Sequence, residues 1–189
     1  RSFSDNPLVT TKYAQIVIDQ QRKFNILSVI KHFPGHGQTK ADSHYRLPIH
    51  TDPKTLESHD IYPFFKLISN GAKAIMVGHV LYPSLDSRYP ASLSKHIVRN
   101  ILIEDMRFSG LIFSDDMNMG AIKSTYGLKD AWLFSVKAGV DQVVMIASYK
   151  TIKTVLNDLN KMLYRKKNLY DILNNNSQQI LSFKQNHIN

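Results

Sequence analysis

LIFSDDMNMG, residues 111–120, is a short apolar run followed at once by two carboxylates and a loop that reaches a glycine. Four residues are too few for a helix and are enough for a buried strand. The same arrangement recurs upstream. Residues 74–78 are an apolar run followed by a loop from His79 to Ser92, and residues 26–30 are another, running into the loop KHFPGHG at 31–37. Pro34 and the two glycines of that loop cannot continue a helix or a central strand, so residues 31–48 are expected to be mainly loop. Downstream, residues 143–146 predict a fourth strand.

Helical patterns fill the intervals. Asp5 and Pro7 signal the start of a helix that reaches about Arg22. Leu56, Ile61, Phe64, Phe65, Leu67 and Ile68 mark a second over 55–69, stopped by Asn70 and Gly71. Ser94 can cap a third that runs through Ile103, and the loop after the third strand extends through Gly127. Further helices are expected over 129–137, 150–164 and 169–183. Strand, loop and helix thus alternate four times. Short strands that are apolar on both faces, separated by helices, argue for an α/β fold with a parallel sheet, because right-handed crossovers cover both of its faces. In a (β/α)8 TIM barrel the chemistry gathers at the C-terminal ends of the strands. Here each polar cluster follows a strand, so the clusters converge on one rim. A full barrel has eight strands and about 250 residues, and this chain reads as about four β/α units of a partial barrel.

Composition narrows the chemistry. The chain has 189 residues, 43% of them hydrophobic, enough for one domain with a sizeable core. It contains no cysteine, which excludes disulfides, thiolate nucleophiles and Cys-ligated metals. No apolar run approaches the roughly 20 residues that span a bilayer, and the first residues show no export signal, so a soluble chain with no membrane partner is expected. The formal charge is +9, from 24 Lys and Arg against 15 Asp and Glu. Much of the excess lies in the last forty residues at helical spacing, where Lys150, Lys153, Lys161, Arg165, Lys166, Lys167 and Lys184 read as solvated helix faces. No nucleic-acid partner is expected.

Three constellations carry chemistry. Lys31, His32 and His36 lie in a tight turn; the two histidines are four apart, but Pro34 and Gly35 rule out the helix that such a metal motif needs. Lys31 and His32 are positioned for ligand contact, whereas His36 can equally serve the loop backbone. Asp42 and His44 alternate by two, so on an extended segment both point the same way, and a carboxylate can then fix the imidazole's tautomer and raise its basicity. Asp115 and Asp116 are adjacent, so only one of them is expected to face the mouth of the barrel while the other caps a turn or meets the wall. A magnesium site for phosphoryl transfer on this pair remains an alternative, as does a non-catalytic sugar-binding remnant.

Taken together, RSFSDNP, KHFPGHG, ADSH, GAKAIMVGHVLYP, PASLS, FSGLIFSDDMNMGAI and KAGVDQVVM resemble the family 3 glycoside hydrolases, and in particular the bacterial β-N-acetylhexosaminidases of the NagZ type, over essentially the whole chain. The resemblance implies a barrel enzyme that removes terminal N-acetylglucosamine from peptidoglycan fragments in the cytoplasm and needs no metal or other cofactor. By motif position, Asp115 would be the nucleophile. His44 would be the general acid/base, oriented by Asp42, Lys31 and His32 would bind sugar hydroxyls, and Arg1 would match the family's substrate-binding arginine. The family's earlier strands have no counterpart here. The chain is therefore expected to be the C-terminal part of one barrel domain, partnered by the missing N-terminal half and, by itself, poorly soluble and inactive.

Overall fold

The computed structural model describes residues 2–37, 39, 46–164 and 167–187. The order of elements is α1 (Pro7–Lys23), β1 (Val29–Phe33), α2 (Pro53–Thr55), a π-helical turn (Leu56–Ile61), α3 (Tyr62–Ser69), β2 (Ala74–Val77), a 3-10 turn (Ala91–Leu93), a π-helical segment (His96–Asp105), β3 (Leu111–Ser114), α4 (Gly120–Tyr126), α5 (Leu128–Ala138), α6 (Tyr149–Leu163) and α7 (Lys167–His187). The strands form one parallel sheet in the order β1-β2-β3. This is the partial α/β barrel architecture that the alternation of elements implies.

The start of α1 is set by Asn6, whose side chain accepts from the N–H groups of Leu8 (2.9 Å) and Val9 (3.3 Å) while Pro7 occupies the first helical position. Beyond its end the chain reverses: Asn25 has φ 55° and Ile26 N–H donates to Gln21 O. That turn uses residues the sequence assigns to the first strand. β1 therefore begins at Val29 rather than Ile26 and takes in Lys31, His32 and Phe33, which the sequence reads as loop.

Register explains which side chains are buried. Ile30, Ile75 and Ile112 pair across the sheet, as do Phe33, Val77 and Ser114. The apolar members of these rows pack with Ile18, Phe64, Leu67, Ile97 and Leu102 of the covering helices. The alternate rows, Val29–Ala74–Leu111 and Lys31–Met76–Phe113, face the other way. Between Lys31 and Phe33 the register slips by one residue, so His32 is a bulge. The slip returns Phe33 to the helix side and lets Lys31 and His32 both lie off it.

The fourth strand is not formed. Asp141 N–H and Gln142 N–H donate to Ile112 O, Ser114 N–H donates to Gln142 O, and Phe113 and Gln142 make an isolated parallel bridge. One residue further, the Ser114 hydroxyl oxygen takes the N–H of Val144 at 2.9 Å. A side chain thus occupies the place of a ladder bond, and residues 143–146 run beside β3 as irregular chain. A second correction is α4, which lies within the stretch read as loop. Among the described residues no helix is long and apolar enough to cross a membrane.

Candidate active site

The C-terminal ends of the three strands bring their polar residues to one edge of the sheet. Asp115 N–H donates to Val77 O, extending the β2–β3 ladder by one step and setting Asp115 on the face of Phe113. From β1, the bulged His32 puts Nε2 3.7 Å from Oδ2 of Asp115. Their side chains are 19% and 18% exposed, sheltered but open to a ligand. Lys31, which shares the face of Met76 and Phe113, is exposed. The His36 ring meets His32 edge-on at 5.8 Å, and its Nδ1 lies 2.7 Å from the Thr39 hydroxyl. Sequence reasoning thus placed Lys31, His32 and Asp115 together, and the structure brings them to one rim. Arg1, Asp42 and His44 lie outside the described residues.

The two neighbouring carboxylates have different surroundings. Oδ1 of Asp115 accepts the N–H of Asp116 at 2.9 Å, which leaves Oδ2 toward His32. Asp116 turns its own Oδ1 to the N–H groups of Asn118 (3.0 Å) and Ile146 (2.8 Å). It ties the loop after β3 to the irregular chain beyond Val144, helped by Asn118, whose side-chain amide donates to Ile146 O.

Behind the loop 33–37 lies a buried polar anchor that sequence reasoning missed. His50 Nε2 is 3.1 Å from Oδ2 of Asp60, and its ring stacks on Tyr82. The Tyr82 hydroxyl donates to Gly35 O, and Gly37 N–H donates to Asp60. Gly35, at φ +149°, has no room for a side chain, since a Cβ there would collide with that of Asp60. Burial raises the Asp60 carboxyl above its ordinary value, although His50 and the Gly37 N–H act in the opposite direction. Burial also pushes the Tyr82 hydroxyl well above 10, with Asp60 adding to the effect. Tyr82 therefore stays protonated and donating. His79 was also missed, although its place right after β2 matches that of His32 in β1. It is fully buried, with Nδ1 2.6 Å from the Ser92 hydroxyl and Nε2 3.1 Å from Asp116 O.

Among the described residues no group of three or more His, Asp or Glu side chains is gathered as metal ligands would be. The chemistry on view is a sheltered carboxylate with an imidazole and an ammonium on the same face, at the strand ends of a partial barrel.

Residues 1–182 match the glycosyl hydrolase family 3 N terminal domain, and the chain belongs to that family. It is 37% identical over 146 residues to a beta-hexosaminidase of Xylella fastidiosa (strain M12), covering 77% of this chain and 43% of the relative. With a beta-hexosaminidase of Glaesserella parasuis serovar 5 (strain SH0165) it is 36% identical over 161 residues, 84% of this chain and 47% of that one. The solved glycoside hydrolase family 3 beta-N-acetylglucosaminidase from Paenibacillus sp. str. FPU-7 superposes with a TM-score of 0.91 at 26% identity, over 97% of this chain and 35% of that one. The chain spans less than half the length of these curated relatives.

Proposed function

We propose that this chain is the C-terminal part of the catalytic barrel of a retaining exo-β-N-acetylglucosaminidase, acting on N-acetylglucosamine-containing peptidoglycan fragments in the cytoplasm. The observation that carries the reading is the 3.7 Å approach of His32 Nε2 to Asp115 Oδ2 at the end of β3. A nucleophilic carboxylate must be held still, with one oxygen free to meet the anomeric carbon, and Asp115 has one oxygen tied to Asp116 N–H and the other toward the rim. His32 and Lys31 then serve sugar hydroxyls, joined by Arg1.

Retaining glycosidases commonly use a second carboxyl group as acid/base. The chain's two glutamates, Glu57 and Glu104, are exposed on helical segments away from the strand ends. His44, oriented by Asp42, takes that role. An imidazole with an ordinary pKa of about 6.5 can protonate the leaving oxygen and afterwards deprotonate water without strong perturbation. In the first step Asp115 attacks the anomeric carbon as the glycosidic bond breaks and His44 gives its proton to the departing oxygen. In the second, water attacks the same carbon, gives its proton to His44, and displaces Asp115. The relatives' names, beta-hexosaminidase and beta-N-acetylglucosaminidase, support N-acetylglucosamine as the released sugar.

The magnesium-dependent alternative needs both carboxylates, and Asp116 already spends Oδ1 on two backbone donors. With one half of a barrel, residues 1–189 alone are expected to be inactive. The deciding experiment supplies an aryl N-acetyl-β-glucosaminide to the full-length protein with and without chelator. Turnover indifferent to chelator and abolished by Asp115→Ala supports the reading. Chelator-sensitive phosphoryl transfer, sugar binding without turnover, or an active Asp115→Ala would replace it.

A further inference from the structure

His79 follows β2 but has none of the exposure of a substrate contact: it is 0% exposed. Both ring nitrogens are engaged. A carbonyl can only accept, so Nε2 carries the proton and donates it to Asp116 O at 3.1 Å, while Nδ1 accepts from the Ser92 hydroxyl at 2.6 Å. Burial lowers the pKa and keeps the ring neutral, against the opposing pull of Asp115 and Asp116. Ser92 is itself fixed across the same loop, its N–H donating to Gly78 O and that of Ala91 to Val80 O. A buried polar pair costs more to desolvate than an apolar filling of equal volume, so its presence calls for a reason beyond packing.

The reason lies in what the imidazole grips. Asp116 is the residue whose N–H holds Oδ1 of Asp115. Its side chain is secured by Asn118 and Ile146, and its carbonyl by the Met119 N–H at 3.0 Å and, from across the loop, by His79 at 3.1 Å. We infer that His79 is a positioning residue for Asp115: by fixing the Asp116 carbonyl it keeps the Asp116 N–H aimed at Oδ1, and so leaves Oδ2 of Asp115 facing His32 and the open face. The inference rests on the reading of Asp115 as nucleophile. Attack on a carbon centre requires one oxygen along one line, and a pinned partner oxygen removes the carboxylate's freedom to rotate away from it.

The test uses the full-length protein, with Asp115→Ala, His79→Asn, His79→Gln and Ser92→Ala variants. Each is assayed on dinitrophenyl and methylumbelliferyl N-acetyl-β-glucosaminides, with thermal melting alongside. The Gln amide reaches the Asp116 carbonyl but not Ser92, and the shorter Asn amide reaches Ser92 but not Asp116. His79→Asn is expected to lose on the order of 10- to 100-fold in kcat with KM within about threefold, by a similar factor for both leaving groups. His79→Gln should retain most of the activity at a comparable melting temperature, and Ser92→Ala, which frees the tautomer, should lose a few-fold. Equal kcat for the two His79 variants at matched stability overturns the inference, as does a loss that grows with the basicity of the leaving group. Should neither His79 variant fold, an undiminished kcat in Ser92→Ala overturns it. An inert Asp115→Ala beside a fully active His79→Asn overturns this inference alone, whereas an active Asp115→Ala overturns the site reading with it.

Discussion

Gly78 stands so close to His32 that a Cβ built on it would lie 2.9 Å from the Cβ of His32. The absence of a side chain at the end of β2 is what lets the bulged histidine of β1 lean across toward Asp115. Gly78→Ala should push the imidazole away from the carboxylate and reduce kcat/KM of the full-length protein on aryl N-acetyl-β-glucosaminides on the order of 10- to 100-fold. A fully active variant would show that the close approach has no functional weight.

Asp115 and Asp116 are adjacent in sequence and opposite in duty, and two alanine substitutions should separate them. Asp116→Ala leaves two backbone N–H groups without their acceptor, and is expected to cost about 2–3 kcal/mol in denaturant unfolding. Asp115→Ala should abolish turnover while changing stability by less than about 1 kcal/mol. Similar stability losses for both would argue against this division.

The half-buried carboxyl of Asp141 makes stability depend on pH. Burial raises its pKa to about 6 from 3.8, despite the Ile112 N–H bonded to Oδ2 at 2.8 Å and the nearby Arg99. A folded-state pKa above the unfolded one means that protonation favours the native state. The stabilisation is full below pH 3.8 and is lost as pH rises through about 6. Asp141→Asn keeps an acceptor and removes the titration. It should therefore gain up to about 3 kcal/mol over wild type at pH 8 and close to nothing at pH 3. Melting temperatures across that range decide it, and a constant difference would remove Asp141 as the cause.

Asp60 holds the loop 33–37 from behind through His50 and Gly37. Asp60→Ala leaves the buried His50 N–H without its acceptor and turns the exposed Gly37 N–H to solvent, with an expected loss of about 1–3 kcal/mol, whereas Asp60→Asn, which can still accept, should lose less. Chemical denaturation of the two variants gives the comparison. Equal losses would mean that volume rather than hydrogen bonding matters there.

The acid role proposed for His44 is open to a leaving-group series. Activated phenols need little protonation, so His44→Ala should slow the first step far more on poor leaving groups than on good ones. A uniform loss would remove His44 from that role.

β2 and the apolar start of β3 are legible in the sequence because four apolar or small residues bounded by turn formers leave little choice of length or position. β1 is harder. Its last three residues include Lys31 and His32, which read as loop, and only pairing with β2 and the bulge make them strand. The fourth strand fails for a reason no periodicity contains, since the Ser114 hydroxyl captures the N–H of Val144. Within the site, the rule that chemistry follows strand ends points to Lys31, His32 and Asp115, which lie at one rim of the sheet. Ser92, His50 and Asp60 fall outside it, and His79 falls under it, after β2, but is buried as a loop anchor rather than exposed to a ligand. Their partners lie 10 to 37 residues away and meet only once the loops fold over one another.

At the opposite end of the sheet, Phe183 of α7 packs on Ala74 and Leu111, the first residues of β2 and β3. A strand rises about 3.3 Å per residue, so this seal lies more than 10 Å below Asp115. α7 thus floors the end of the sheet opposite His32 and Asp115. Engineering of that floor is expected to change how long the fold survives heating while leaving the chemistry of the far rim untouched.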